Sequence, residues 1–237
     1  MTRSVLDMFA TYTTAKHRLG AIHEWPTGEK FRFCKNGAGA LTAGMLVQGA
    51  LPIADHSECV VSVLAAVGAL TISATLNGTT VATKDQYKDG YVWVNKSTGI
   101  GMTYRIKSNT AAGAAGVIVL TLYEHTPVKV AFGAATEVTL LPNKWNGVLK
   151  AEASPTAGLS GVVLVAVGAS EYHWEQVHGP CGMIGAGSLL IGNIVVPITT
   201  AGSIGPSAAF ETDGPLVGRV MAVNISAEIS LIDLCIE

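Results

Sequence analysis

Apolar and polar residues alternate with period two through much of the chain. Ile72, Ala74 and Leu76 alternate with Thr71, Ser73 and Thr75. Asn77-Gly78 follows, a pair that favours a tight hairpin turn, and Thr79–Thr83 is expected to return beside the first strand. Tyr91 and Trp93 share one parity and Val92 and Val94 the other, and Asn95–Gly101 then turns the chain. Met102, Tyr104 and Ile106 lie opposite Thr103, Arg105 and Lys107. Such alternation gives one buried and one wet face, as in antiparallel sheet. Asn109–Gly116 reads as an Ala/Gly loop, with Val117–Tyr123 and Val128–Phe132 as strands around Thr126-Pro127. Leu141-Pro142-Asn143 and Asn146-Gly147 mark turns. Gly161–Val167 is a continuous apolar run that suits a strand buried on both faces. Tyr172–Val177 alternates again and is expected to stop at Gly179-Pro180. Glu228–Ile236 reads as the final strand.

Residues 1–30 differ. They are comparatively polar and carry Arg3, Asp7, Lys16, His17, Arg18, Glu24, Glu29 and Lys30. Ser4 and Asp7 fit a capping box for a short helix through about Thr14. Frequent threonine and the lack of a continuing helical stripe favour an extended arm instead. Trp25-Pro26-Thr27-Gly28 makes a turn, and no long helical periodicity follows it. The expectation is an all-β chain: an antiparallel β-sandwich or barrel with short strands and glycine-rich turns, plus an N-terminal arm. The arm is residues 1–30 and the β-rich domain 31–237. Gly39–Val47 and Gly187–Val195 share the pattern G-x-L-x-x-G-x-[LI]-V. Either they are equivalent strand–turn units or a chain rich in Gly, Ala, Leu and Val repeats itself by coincidence. If equivalent, 31–56 and 141–237 form one core and 57–140 is a lobe inserted into it.

Charge changes the picture. Only 14% of the 237 residues are Asp, Glu, Lys or Arg, against roughly 25% in ordinary soluble domains. Residues 176–210 contain none. Hydrophobic residues make up 49% but aromatics only 6%, so the apolar content is mainly aliphatic. Either this is an ordinary low-charge β-protein, or much of its outer surface is covered by copies of itself or a partner. A net charge of −2 with scattered basic residues argues against a nucleic-acid binder. The N-terminus lacks a secretory h-region, and the apolar run 184–199 is too short and too broken to span a membrane. The sequons at Asn77, Asn95 and Asn224 therefore read as chance matches. Cys34, Cys59, Cys181 and Cys235 are far apart without CxxC spacing, and so are expected as reduced thiols of a protein made in a cytoplasm.

No constellation points to catalysis, a metal or a cofactor. His173, Glu175 and His178 form H-x-E-x-x-H, but a zinc helix needs histidines at i and i+4, and on a strand His178 points away from the other two. Cys181 sits in a turn with no orienting partner. Gly182–Gly187 lacks the lysine and following helix of a phosphate loop. Trp25, Trp93, Trp145 and Trp174 suit core or interface anchors, and alternatively a sugar-stacking platform.

Several segments, in order along the chain, resemble the capsid cement (head decoration) proteins of tailed bacteriophages, the marine and cyanobacterial type in particular. They are Gly28-Glu-Lys-Phe-Arg-Phe33, Ala40-Leu-Thr-Ala-Gly-Met-Leu-Val-Gln48, Gln86-Tyr-Lys-Asp-Gly-Tyr91 with Val94-Asn95, and Thr98-Gly-Ile-Gly-Met-Thr-Tyr-Arg-Ile-Lys107. Pro127-Val-Lys-Val130, Leu141-Pro-Asn143 with Asn146-Gly147, and Tyr172-His-Trp-Glu-Gln-Val-His-Gly-Pro180 complete them. The first sixteen residues and the stretch after Pro180 resemble the family in composition only. The resemblance implies a non-enzymatic virion protein on the outer capsid surface, a homotrimer near threefold axes whose partner is the major capsid protein. It implies no cofactor, nucleic acid or membrane. The polar arm is then expected to lie across a neighbouring subunit and order on binding, with Arg3, Lys16, His17, Arg18 and Trp25 as candidate shell contacts. The alternative function is a carbohydrate-binding β-module of a virion fibre or cell surface.

Overall fold

A computed structural model describes residues 6–207, 214–224 and 228–237. In chain order the strands are β1 (Ile22–Glu24), β2 (Lys30–Asn36), β3 (Leu46–Gln48), β4 (Cys59–Val63), β5 (Thr71–Thr75) and β6 (Tyr91–Lys96). There follow β7 (Thr103–Asn109), β8 (Val117–Leu122), β9 (Glu137–Leu141), β10 (Asn146–Lys150) and β11 (Leu159–Val163). The last are β12 (Tyr172–Ile184), β13 (Ile194–Pro197), β14 (Ile204–Pro206), β15 (Gly218–Ala222) and β16 (Ile229–Cys235). Among the described residues the only helical element is a 3₁₀ turn, Ala54–His56. The chain is all-β. It forms two compact units: unit 1 joins the chain up to Ala50 to Lys144–Glu237, and unit 2 is Leu51–Asn143.

Unit 2 is a closed barrel of strand order β4-β5-β8-β7-β6-β9, with β9 pairing back to β4. Every pairing in it is antiparallel. The period-two pattern places Ile72 and Ala74, Val92 and Val94, Tyr104 and Ile106, Ile118 and Leu120, and Val138 and Leu140 in one core. Each large aliphatic so buried stabilises the barrel by about 1.5–3 kcal/mol. Closure leaves no sheet edge in this unit.

Two expected strands of this unit do not form. Thr79–Thr83 does not return beside β5, whose partners are β4 and β8. The Asp55 carboxylate instead accepts hydrogen bonds from the Thr80 amide (2.8 Å) and hydroxyl (2.7 Å), and Ala82 meets Ala112 in an isolated bridge. Val128–Phe132 is irregular because its amides serve a loop. Val128 N–H donates to Ala69 O and Phe132 N–H to Ala65 O, both at 2.9 Å.

Unit 1 is a ten-stranded sheet, β1-β2-β10-β3-β11-β12-β16-β15-β13-β14, with a further pairing of β12 to β2. That pairing closes β2, β10, β3, β11 and β12 into a ring. Cys34, Val47, Val148 and Val163, from four of these strands, form one cluster with Leu41 and Val167. Leu46 of β3, Cys181 and Met183 of the second half of β12, and Val195, Val220, Ile232 and Leu234 of β13, β15 and β16 build a second core. The expected stop at Gly179-Pro180 does not occur. β12 runs 13 residues through it, pairing with β2 from Tyr172 to His178 and with β16 from His178 to Ile184. Among the described residues, only one side of β12 carries a ladder past His178, so the missing amide of Pro180 is tolerated. The register shift at Val177 is held by Gln176, whose amide donates to His178 O (3.0 Å) and Pro180 O (2.9 Å). Asn146-Gly147 is likewise not a turn but the start of β10, with Gly147 at φ +80 where the register with β2 shifts.

One turn recurs before strands. An i to i+3 hydrogen bond with a left-handed third residue, as in a type II turn, precedes β1 (Gly20), β3 (Gly44), β8 (Ala115), β12 (Ser170), β13 (Gly192) and β14 (Gly202). The two halves of the G-x-L-x-x-G-x-[LI]-V echo adopt this same turn, with Gly44 and Gly192 equivalent.

The N-terminal segment is an irregular arm, but one laid on the chain's own sheet. Tyr12 and Tyr172 exchange backbone hydrogen bonds of 2.8 and 2.7 Å. Met8 is buried against Phe31, Phe33 and Trp174, with Leu6, Tyr12, Leu19 and Trp25 around them. From Leu6 to Thr14 the backbone is not helical; Ser4 lies outside the described residues. Residues 6–30 therefore already have a partner within unit 1. Met8→Ala is expected to lower the stability of unit 1 by about 2–5 kcal/mol in denaturant titrations. A change within about 0.5 kcal/mol would show the segment to be free.

Candidate functional site

The candidate shell contacts divide by environment. Lys16 and Arg18 are exposed, whereas His17 is half-buried with its ring 5.2 Å from both Phe33 and Trp174. Trp25 packs on Phe31 with the rings tilted and their centroids 4.7 Å apart. His17 and Trp25 thus take part in holding the arm to the sheet. Arg3 lies outside the described residues. Of the other tryptophans, Trp174 is buried, Trp145 lies under Arg32 and Lys144, and Trp93 is partly exposed on the outer face of β6.

The H-x-E-x-x-H motif lies on β12. His173 and Glu175 face Cys34 and Arg32 of β2, their register partners. His173 Nε2 lies 3.0 Å from Glu175 Oε1, and both side chains are wholly buried. Gly161 makes room for the pair, because a Cβ there would sit 2.8 Å from the Glu175 Cβ. His178 lies beyond the register shift and is half-buried. Nearby, Glu237 accepts from Arg32 Nε at 2.7 Å and pairs with Lys144 at 3.2 Å. Burial first, and the Glu175 charge second, push the Cys34 thiol well above its ordinary value. A nucleophilic thiol requires the opposite shift and access to substrate. Burial also pushes Cys181 up to about 12. Among the described residues no grouping of His, Cys, Asp or Glu is arranged to hold a metal ion.

Two kinds of surface stand out. The first is apolar. In unit 2 the end of β4 and the loop after it expose Val63 (62%), Leu64 (63%) and Val67 (65%). It is fixed from behind by the bonds from Val128 and Phe132, by Gly68 N–H to Val128 O (2.8 Å) and by buried Ala65. In unit 1, Leu190 and Ile191 are exposed on the turn before β13. Ile229 and Leu231 of β16 and Met221 of β15 are exposed on their strands.

The second surface is a cleft of about 410 Å³ on the unit 2 barrel, lined by Glu58, Val60, Asn77, Asn95, Lys96 and Glu137. The register of β6 on β9 shifts between Val94 and Lys96, so two residues of β6 face one of β9. Without this bulge Asn95 and Lys96 would point to opposite faces; with it Lys96 reaches outward to Glu137, 2.6 Å away. The hydrogen bond and charge of Glu137, with Glu58 adding to them, raise the Lys96 ammonium above its usual value. Glu58 is in the left-handed region at φ +54. Its amide donates to the Thr139 hydroxyl (3.0 Å), which donates to Asn95 Oδ1 (3.1 Å). Sequence reasoning noted Asn77 and Asn95 as turn residues and sequons, not as parts of a site, and missed Glu58 and Glu137. Neither the bulge nor the left-handed glutamate has a sequence signature.

Comparison with protein-family models, curated proteins and solved structures returns no match.

The cysteine environments lead to a direct test. Cys34, Cys59 and Cys181 are buried and Cys235 is exposed, all as free thiols. Raised pKa values keep Cys34, Cys59 and Cys181 protonated at neutral pH, so the native protein is expected to react with a thiol reagent at Cys235 alone. Labelling after denaturation should reach all four cysteines. Rapid native labelling of Cys34 would contradict the closed ring.

Proposed function

We propose that this chain is a structural virion protein that binds the outside of an assembled phage capsid and stabilises it, acting as a homotrimer on the major capsid protein. The observation that carries the reading is the rigid display of Val63, Leu64 and Val67 in a chain with so few charges. Adhesion between protein shells needs apolar area on both sides and few charged groups to desolvate. It also gains from surfaces that lose little freedom on docking, which the hydrogen-bonded backing of this loop supplies. The ordered resemblance from Gly28 to Pro180 supports the same reading. A ligand that binds only the assembled lattice stabilises it by mass action, with no chemistry required. The arm contributes differently from the expectation. Because residues 6–30 lie on their own sheet, the arm's shell contacts in this reading are the exposed side chains Lys16 and Arg18, with Arg3 outside the described residues.

Co-sedimentation with assembled heads and with unassembled shell protein tests this. The wild-type chain is expected to pellet with heads only. The double variant Leu64→Asp, Val67→Asp is expected to bind at least about tenfold more weakly, since unpaired carboxylates would be desolvated in the contact. Equal binding by the variant, or no binding of the wild type to heads, would refute the reading.

A further inference from the structure

The polar cleft of unit 2 is not needed for adhesion to a capsid, and its construction calls for a separate account. Its volume of about 410 Å³ falls within the roughly 300–1,000 Å³ typical of small-molecule sites. Its lining differs from the usual apolar pocket. Two carboxylates, two carboxamides and one ammonium surround a single aliphatic residue, Val60. Such a set both donates and accepts hydrogen bonds in every direction, which matches a ligand dense in hydroxyls. The next outward residue of β6 before Asn95 is Trp93, partly exposed, and the next before that is Tyr91, exposed. Outward residues on one strand are spaced by about 6.6–6.8 Å, so Trp93 adjoins Asn95 on the outer face. Trp93 pairs in register with Thr139, the residue whose hydroxyl holds Asn95. The aromatic face and the polar cleft are thus parts of one shelf across β6 and β9.

Two backbone features shape the shelf. The bulge at Asn95 turns two consecutive polar residues to the same face, and bulges of this kind re-aim side chains at functional places. Glu58 adopts a left-handed backbone, a conformation that costs a non-glycine residue about 1–3 kcal/mol and is retained where surroundings enforce it. A divalent cation is the other ligand that an oxygen-rich cleft suggests. The Lys96 ammonium, 2.6 Å from Glu137, already occupies that electrostatic role.

We propose that the outer wall of the unit 2 barrel is a saccharide-binding site, with Trp93 stacking one sugar ring and Asn77, Asn95, Glu58 and Glu137 bonding the hydroxyls of the next. The ligand class is a neutral oligosaccharide with vicinal hydroxyls. The site is independent of capsid adhesion, because it uses neither the 63–70 loop nor unit 1.

The test is titration of the full chain, by calorimetry and saturation-transfer NMR, with glucose, galactose, mannose, N-acetylglucosamine and their linear homotrisaccharides. Calcium alone is titrated in parallel. At least one trisaccharide is expected to bind with a Kd in the millimolar range or tighter. Trp93→Ala and Asn77→Ala should each weaken it at least about tenfold. Asn77 is exposed, so its variant is expected to fold and serves if Trp93→Ala does not. Three results would overturn the proposal: no saccharide binding, binding that both variants retain, or calcium binding abolished by Glu58→Gln.

Discussion

Unit 1 depends on one strand serving two sheets. β12 closes the ring of β2, β10, β3 and β11 with its first half and carries β16, and through it β15 and β13, with its second. The switch needs a shift in register at Val177, a left-handed glycine at 179 and a proline on the unpaired side. It also needs Gln176 to satisfy the carbonyls that the shift leaves. Register is set within the ring by the side chains on each face. Trp174 packs outward on Phe33 and the arm, while His173 and Glu175 face inward. A slip of one residue would bury the tryptophan in the ring and expel the polar pair, reversing both faces at once. The buried pair thus fixes the register, whatever its net contribution to stability.

Unit 2 solves a different problem by closure. With six strands paired in a cycle it presents no edge for unwanted strand addition, so its outer wall can carry exposed side chains without inviting aggregation through the backbone. That wall displays an aliphatic loop in one place and a polar shelf in another. Both are fixed by backbone hydrogen bonds or ladder geometry rather than by flexible side chains. Rigid display lowers the ordering cost of any contact the surface makes. Low charge lowers the desolvation cost in the same way.

The sequence made the fold class legible because period two is hard to mistake where one face is buried. Ile72 with Ala74, Tyr104 with Ile106, and Ile118 with Leu120 all point into the barrel as alternation requires. It misled where a side chain outcompeted the local signal. Asn77-Gly78 suggested a hairpin, but Asp55 captures Thr80 and draws the returning chain away from β5. Gly179-Pro180 suggested an end, but a strand paired on one side tolerates proline. Val128–Phe132 has a strand's residues, yet its amides are taken by the 63–70 loop. The cleft was the least legible part. Its residues come from well-separated positions, Glu58, Asn77, Asn95 and Glu137, joined only by strand register and a bulge. Of its shelf only Trp93 was read as a possible ligand contact, and among three other tryptophans that the structure places against unit 1's own residues.

The function proposed for this β-framework is contact: an aliphatic surface for a protein shell and a separate polar shelf for a hydroxyl-rich ligand. Cementing is a thermodynamic claim before it is a biological one. Occupancy of a lattice site at one hundred times the Kd stabilises the lattice by about 2.7 kcal/mol per site. The most direct test is the temperature at which DNA-filled heads release their DNA, measured on heads lacking this protein and again after it is added back. The account predicts release at a higher temperature after addition, rising with protein concentration until the sites are filled. Release at the same temperature at saturating protein would contradict it.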